Sequence, residues 1–158
     1  MARLPLVICL FIGLVSAADE GQAEPLTDEH KSLIARSVDT AIVTAIDAKV
    51  IRDDPKADAQ DEIDRRAKMK MATNLCDNAR GLVRLTDAEG SDYWNATVDY
   101  CYGVTLLYGS RKKDAAKLAC PHLLNSIKLA RQAAKGGEDA AAAKALLGKI
   151  GLDAESFC

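Results

Sequence analysis

The residues best equipped for chemistry are five cysteines, two histidines and a few close carboxylate pairs, and their spacing decides what they can do. Cys9, Cys76, Cys101, Cys120 and Cys158 never come within four residues of one another, which excludes a C-x-x-C redox pair and a C-x-x-C-H haem attachment. His30 and His122 lie far apart without an H-E-x-x-H frame, so four clustered zinc ligands are not expected. Ser91, between Gly90 and Asp92, lacks the G-x-S-x-G elbow of a serine nucleophile. Asp53-Asp54 and Asp61-Glu62 fall in a turn and a hydrophilic helix start, where nothing apolar would raise a carboxyl pKa for acid–base work. The expectation is a protein that is not an enzyme, with no catalytic residue, no metal ligand and no cofactor.

Its compartment follows from the first residues. Arg3, the apolar run Leu4 to Val15 and the small residues Ser16-Ala17-Ala18 form a secretory signal peptide over 1–18, cut after Ala17 or Ala18. The apolar run is too short for a permanent membrane helix, so no stable membrane insertion is expected after its removal. Cys9 leaves with the signal, and the four remaining cysteines read as two disulfides in an oxidising compartment, periplasmic or secreted. Losing Arg3 lowers the 21 basic residues to 20 against 23 acidic ones, and without a basic excess nucleic acid is not an expected partner.

After a loose leader over 19–26, the remainder reads as one helical domain over 27–158. Thr27 caps a helix whose Ile34, Val38, Ala41, Ile42, Ala45, Ile46 and Val50 form one apolar stripe, ended by Asp53-Asp54-Pro55. A second helix from about Asp58 carries Ile63, Ala67, Met71, Leu75 and Leu82 along one face, and a loop follows over 86–92. Trp94, Val98, Cys101, Tyr102 and Thr105 share a face of a third, closed by Gly109-Ser110. A short helix over 111–119 gives way at Cys120-Pro121 to a new one reaching Gly136-Gly137. The last helix starts at Asp139 and ends at Gly151, with a tail to Cys158. The fold class is all-α, a single compact bundle of five or six helices stapled by two disulfides.

Aromatic residues are concentrated. Tyr93, Trp94, Tyr100, Tyr102 and Tyr108 share one helix, while the rest of the mature chain holds only Phe157. One stripe cannot bury all five. Trp94 and Tyr102 are expected in the core, and Tyr93, Tyr100 and Tyr108 are the candidate surface for a protein partner or a homodimer, since tyrosine anchors interfaces. His122 reads as a packing residue, and the sequon Asn95-Ala96-Thr97 as a chance match within a helix.

Antiparallel helices bring residues equidistant from their turn to one height. Cys76 and Cys101 are centred on the 86–92 loop, and Cys120 and Cys158 lie about the Gly136-Gly137 break, which favours those two pairs. Cys101–Cys120 with Cys76–Cys158 stays compatible with the spacing.

Leu75-Cys76, Cys101-Tyr102-Gly103, Gly109, Cys120-Pro121 and Phe157-Cys158 form a pattern over residues 75–158 that resembles the Rap/Tai-type immunity proteins of bacterial type VI secretion. The resemblance implies a periplasmic helical protein that binds and blocks a cell-wall amidase toxin, often as a dimer. The alternative is a periplasmic or secreted helical scaffold, an envelope-stress protein or a ligand-binding protein.

Overall fold

The computed structural model describes residues 25–85, 91–110 and 112–158. The expected signal segment, most of the leader and most of the 86–92 loop lie outside the described residues. Five helices follow one another: α1 (Asp28–Asp53), α2 (Ala59–Leu85), α3 (Asp92–Gly109), α4 (Lys112–Ala133) and α5 (Ala140–Phe157). Among the described residues there is no strand, and no helix is long and apolar enough to cross a membrane.

Local chemistry sets the helix starts. Thr27 Oγ1 accepts the His30 N–H at 3.2 Å, the expected cap. At α2 the Asp58 carboxylate accepts from the Gln60 and Asp61 N–H groups at 2.7 and 3.0 Å, while the Asp61 carboxylate accepts from the Asp58 N–H at 3.0 Å. That reciprocal arrangement is a capping box built from two aspartates.

The centre of the molecule is α3. It packs against all four other helices, while α1 packs with α2 and α4 with α5. Trp94, Val98 and Cys101 face a core shared with Ile34, Val38, Ala41 and Ala72 of the α1–α2 hairpin. Ala96, Tyr100, Val104 and Leu107 face a second core shared with Leu123, Ala130, Leu146 and Ile150 of the α4–α5 hairpin. The backbones of α1 and α5 do not approach each other, nor do those of α2 and α4. Two seams therefore run beside α3.

The disulfides adopt the pairing that hairpin geometry favours. Cys76–Cys101 joins α2 to α3 with a Cα–Cα distance of 5.8 Å, both residues fully buried. Cys120–Cys158 joins α4 to the end of α5 at 5.6 Å, with Cys158 exposed.

Four expectations about the helices need correction. In α1 the buried face is Ile34, Val38, Ala41, Thr44, Ala45 and Ala48, and Ile46 and Val50 point to solvent. In α2 the inward face runs through Arg65, Ala72, Cys76, Ala79 and Val83, leaving Ile63 and Met71 outside. Alanines make up much of both inward faces, and Ile46, Val50, Ile63 and Met71 are left outside. Pro121 does not start a helix but sits inside α4. Its ring nitrogen has no hydrogen for the preceding turn, a loss of about 3 kcal/mol in a helix interior. The fully buried Ala119 and Leu123 on either side keep the helix continuous. Finally, α5 passes through Gly151 to Phe157 because that last stretch has its own anchors: buried Ala154, Asp153 held by two tyrosines, and the Cys158 bridge.

The far end of α3 has no basic residue of its own, and its neighbours supply two. Arg52 Nη1 donates to the carbonyls of Leu107 and Ser110 at 3.0 Å each, and the buried Arg65 donates to the Gly109 carbonyl. Cations suit a helix C-terminus, where carbonyls lack partners. Glu62 pairs with Arg65 at 2.6 Å and Arg66 at 2.8 Å, and these bonds hold its carboxyl at about 2.

Candidate functional site

The α1/α5 seam gathers the aromatic residues. Its floor is α3, and α1 and α5 run in the same direction as α3 on either side. A cavity of ≈ 290 Å³ lies over Tyr93, Trp94 and Tyr100, walled by Val38 and Ile42 of α1 and Leu146 of α5. Farther along, one of ≈ 350 Å³ lies over Leu107 and Tyr108, between Lys49 of α1 and Phe157 of α5. A third, of ≈ 430 Å³, sits at the head, where Lys31 Nζ and Glu138 Oε1 pair at 2.7 Å across the opening.

All three candidate tyrosines line this seam, but in different ways. Tyr93 is half-buried, its ring edge-on to Trp94 at 4.8 Å. Tyr100 is only 9% exposed, and its hydroxyl donates to Asp153 Oδ2 at 3.0 Å. Tyr108, half-buried, donates to the other oxygen of the same carboxylate at 3.1 Å. Burial first, and then the Asp153 charge, pushes both phenols above their ordinary range. Tyr100 therefore fastens α5 to α3 and shows the seam only a small part of its ring. Tyr93 and Tyr108 remain as the aromatic surface of the seam. Trp94 is in the core as expected, with its indole N–H buried and unpartnered.

The α2/α4 seam is polar, and Tyr102 lies there rather than in the core. Its ring stacks on His122 at 5.4 Å and lies 4.1 Å under the Arg80 guanidinium, and its hydroxyl donates to Asp77. Burial and the Asp77 bond push this phenol up to about 12. Asp99 ties the seam together, taking Arg80 Nη2 at 3.2 Å, His122 Nδ1 at 3.5 Å and the Asn125 amide. A cavity of ≈ 210 Å³ opens beside Arg84, Asn95 and Asn125. Asp99 carried no signal in the sequence beyond lying one turn before Tyr102. Its partners come from α2 and α4, which only the tertiary fold brings together. His122 is thus a bridging residue joining α4 to α3, in line with its packing reading.

Cys76, Cys101, Cys120 and Cys158 are spent in disulfides. Among the described residues no group of three or more His, Cys, Asp or Glu side chains is placed to hold a metal ion. What the geometry offers is an elongated, aromatic-floored seam on one side of α3 and a closed polar bridge on the other. No family model, no curated protein and no solved structure matches the chain, so its function is read from these seams.

Proposed function

We propose that this chain is an exported helical binding protein, not an enzyme, that holds a protein partner in the α1/α5 seam. In its most specific form the partner is a peptidoglycan amidase toxin that the protein inhibits in the periplasm. The observation that carries the reading is that Tyr93 and Tyr108 open onto one linear seam whose walls stand apart. Tyrosines beside apolar cavities are the usual anchors of a protein interface. Two disulfides support an oxidising compartment, and the cysteine–glycine pattern over 75–158 supports the immunity role by resemblance alone.

Calorimetric titration of the mature protein against candidate amidases tests this. Tyr93→Ala and Tyr108→Ala are each expected to weaken binding about tenfold or more. An amidase left fully active by excess protein overturns inhibition, and unchanged affinity in both variants overturns the seam as the contact. A second reading, a carrier of a small apolar ligand, is favoured by the ≈ 290 Å³ cavity over Tyr93 and Trp94. Native mass spectrometry of the purified protein would then show a bound ligand mass.

A further inference from the structure

We infer that the α1/α5 seam takes one amphipathic α-helix of the partner, lying parallel to α3 with its N-terminus toward Asp39 and its C-terminus toward Lys49. This rests on the protein-binding reading and adds the chemistry of the bound segment.

The shape comes first. Tyr93 to Tyr108 spans about 22 Å of α3, at 1.5 Å per residue. Along that length the walls are two helices that both pack on α3 while their own backbones stay apart. The opposite seam is spanned midway by the Asp99 bridge, whereas here the tyrosines that reach Asp153 lie on the floor and the Lys31–Glu138 pair crosses at the head. A cleft between two parallel helices is completed by a third helix packing ridges into grooves. The described residues contain no sheet edge to receive an extended strand.

Spacing agrees with that shape. The middle cavity extends from Tyr93 to Tyr100 and the next opens at Leu107 and Tyr108. Apolar side chains at i, i+4, i+7 and i+11 of a helix, spread over about 16 Å, meet both cavities from a single stripe. The far cavity has an apolar lip: Phe157 of α5 lines it and is nearly half exposed.

Charge sets the direction. Toward the head the seam is lined by Asp39, and beyond it Asp92, Glu138 and Asp139 outnumber Lys31, which pairs with Glu138. Lys149 faces the same cavity as Asp39, and at the far end Lys49 and Arg52 outnumber Asp53. A helix carries partial positive charge at its N-terminus and partial negative charge at its C-terminus. The acidic end therefore receives the N-terminus, favouring Lys or Arg in the partner's first turn. The basic end receives the C-terminus, favouring Asp or Glu in its last.

Selection of a displayed random 15-residue peptide library on the intact mature protein tests this. The expected winners have apolar residues at helical spacing, with basic residues first and acidic residues last. Their binding should fall at least tenfold in Ala145→Glu, an exposed position on the α5 wall, and persist in Met71→Glu on the outer face of α2. Ala145→Glu puts a helix-forming residue on a helix surface, so circular dichroism and thermal melting should match the parent. No enriched peptides, winners without helical spacing, the reverse charge order, or indifference to Ala145→Glu would each overturn the inference. A homodimer that dissociates in Ala145→Glu and excludes the peptides would assign the seam to a second copy and also overturn it. If an amidase binds through Tyr93 and Tyr108 but no helical peptide is selected, the helix alone fails. If peptides are selected but no amidase binds, the amidase reading alone fails.

Discussion

Leu123 occupies the space that a side chain on Gly103 would need: a Cβ built there would lie 2.5 Å from Leu123 Cδ2 and 2.8 Å from its Cγ. Leu123 is fully buried and cannot swing aside. Gly103→Ala should therefore lose about 1–3 kcal/mol to overpacking, more than the roughly 1 kcal/mol that alanine gains over glycine in a helix. At Gly148 and Gly151 of α5 a new Cβ meets nothing within 4 Å, and the same change there should stabilise by about 0.5–1 kcal/mol. Thermal melts of the three variants should move in opposite directions.

Arg65 is the second test. Removing it in Arg65→Ala leaves the Gly109 carbonyl and the Glu62 carboxylate without its fork. Hydrogen bonds to a charged group contribute about 1.5–3 kcal/mol, so a loss of that order is expected in urea unfolding. Hydrogen exchange should quicken first in the last turn of α3, where Arg52 alone would remain. Equal exchange along the whole of α3 would show that the pair of arginines does not act as a local cap.

Alkaline pH should weaken the fold. Tyr100, Tyr102 and Tyr108 hold their protons more tightly when folded, with Tyr102 at about 12. Unfolded tyrosines ionise near pH 10, so above that the unfolded chain releases protons that the folded one keeps, and stability falls. Below pH 10 the contribution of these groups is complete. It should be lost progressively as pH climbs toward about 12. Tyrosinate absorbance compared between native and guanidinium-unfolded protein should show the native curve displaced to higher pH.

The two disulfides should part company under mild thiol. Cys158 is exposed, whereas Cys76 and Cys101 are fully buried. Graded reduction with alkylation and mass spectrometry should label Cys120 and Cys158 before Cys76 and Cys101. Each bridge closes a loop of a few tens of residues, and its removal should cost about 3–4 kcal/mol in the chain-entropy account.

Much of the architecture was legible for reasons that reside in short stretches of chain. Thr27 caps where its type and the acidic first turn said it would, and the cysteine pairs are the ones preferred from residue heights in adjacent hairpins, which also allowed Cys101–Cys120. Ile34, Val38, Ala41 and Ala45 were read on the inward face of α1, but its continuation to Ala48, and the α2 face at Ala72 and Ala79, were missed because they are built from alanine. Alanine favours neither core nor surface strongly, so the larger Ile46, Val50, Ile63 and Met71 dominated the apolar pattern while pointing outward. Tyr93 and Tyr108 stood out by type alone. The seam they line did not, because it depends on α1 and α5 resting on α3 without meeting, and no local pattern encodes a gap.

The place of α3 at the hub of both cores also sets a timetable for the growing chain. Made from its N-terminus, the protein has α1 and α2 ready when α3 emerges, so Trp94, Val98 and Cys101 find shelter at once. Tyr100, Val104 and Leu107 must wait for α4 and α5, the last two helices to be made. Until then a half-built molecule shows a greasy flank in its middle. That interval, rather than the finished fold, is when the second core's half on α3 lies uncovered.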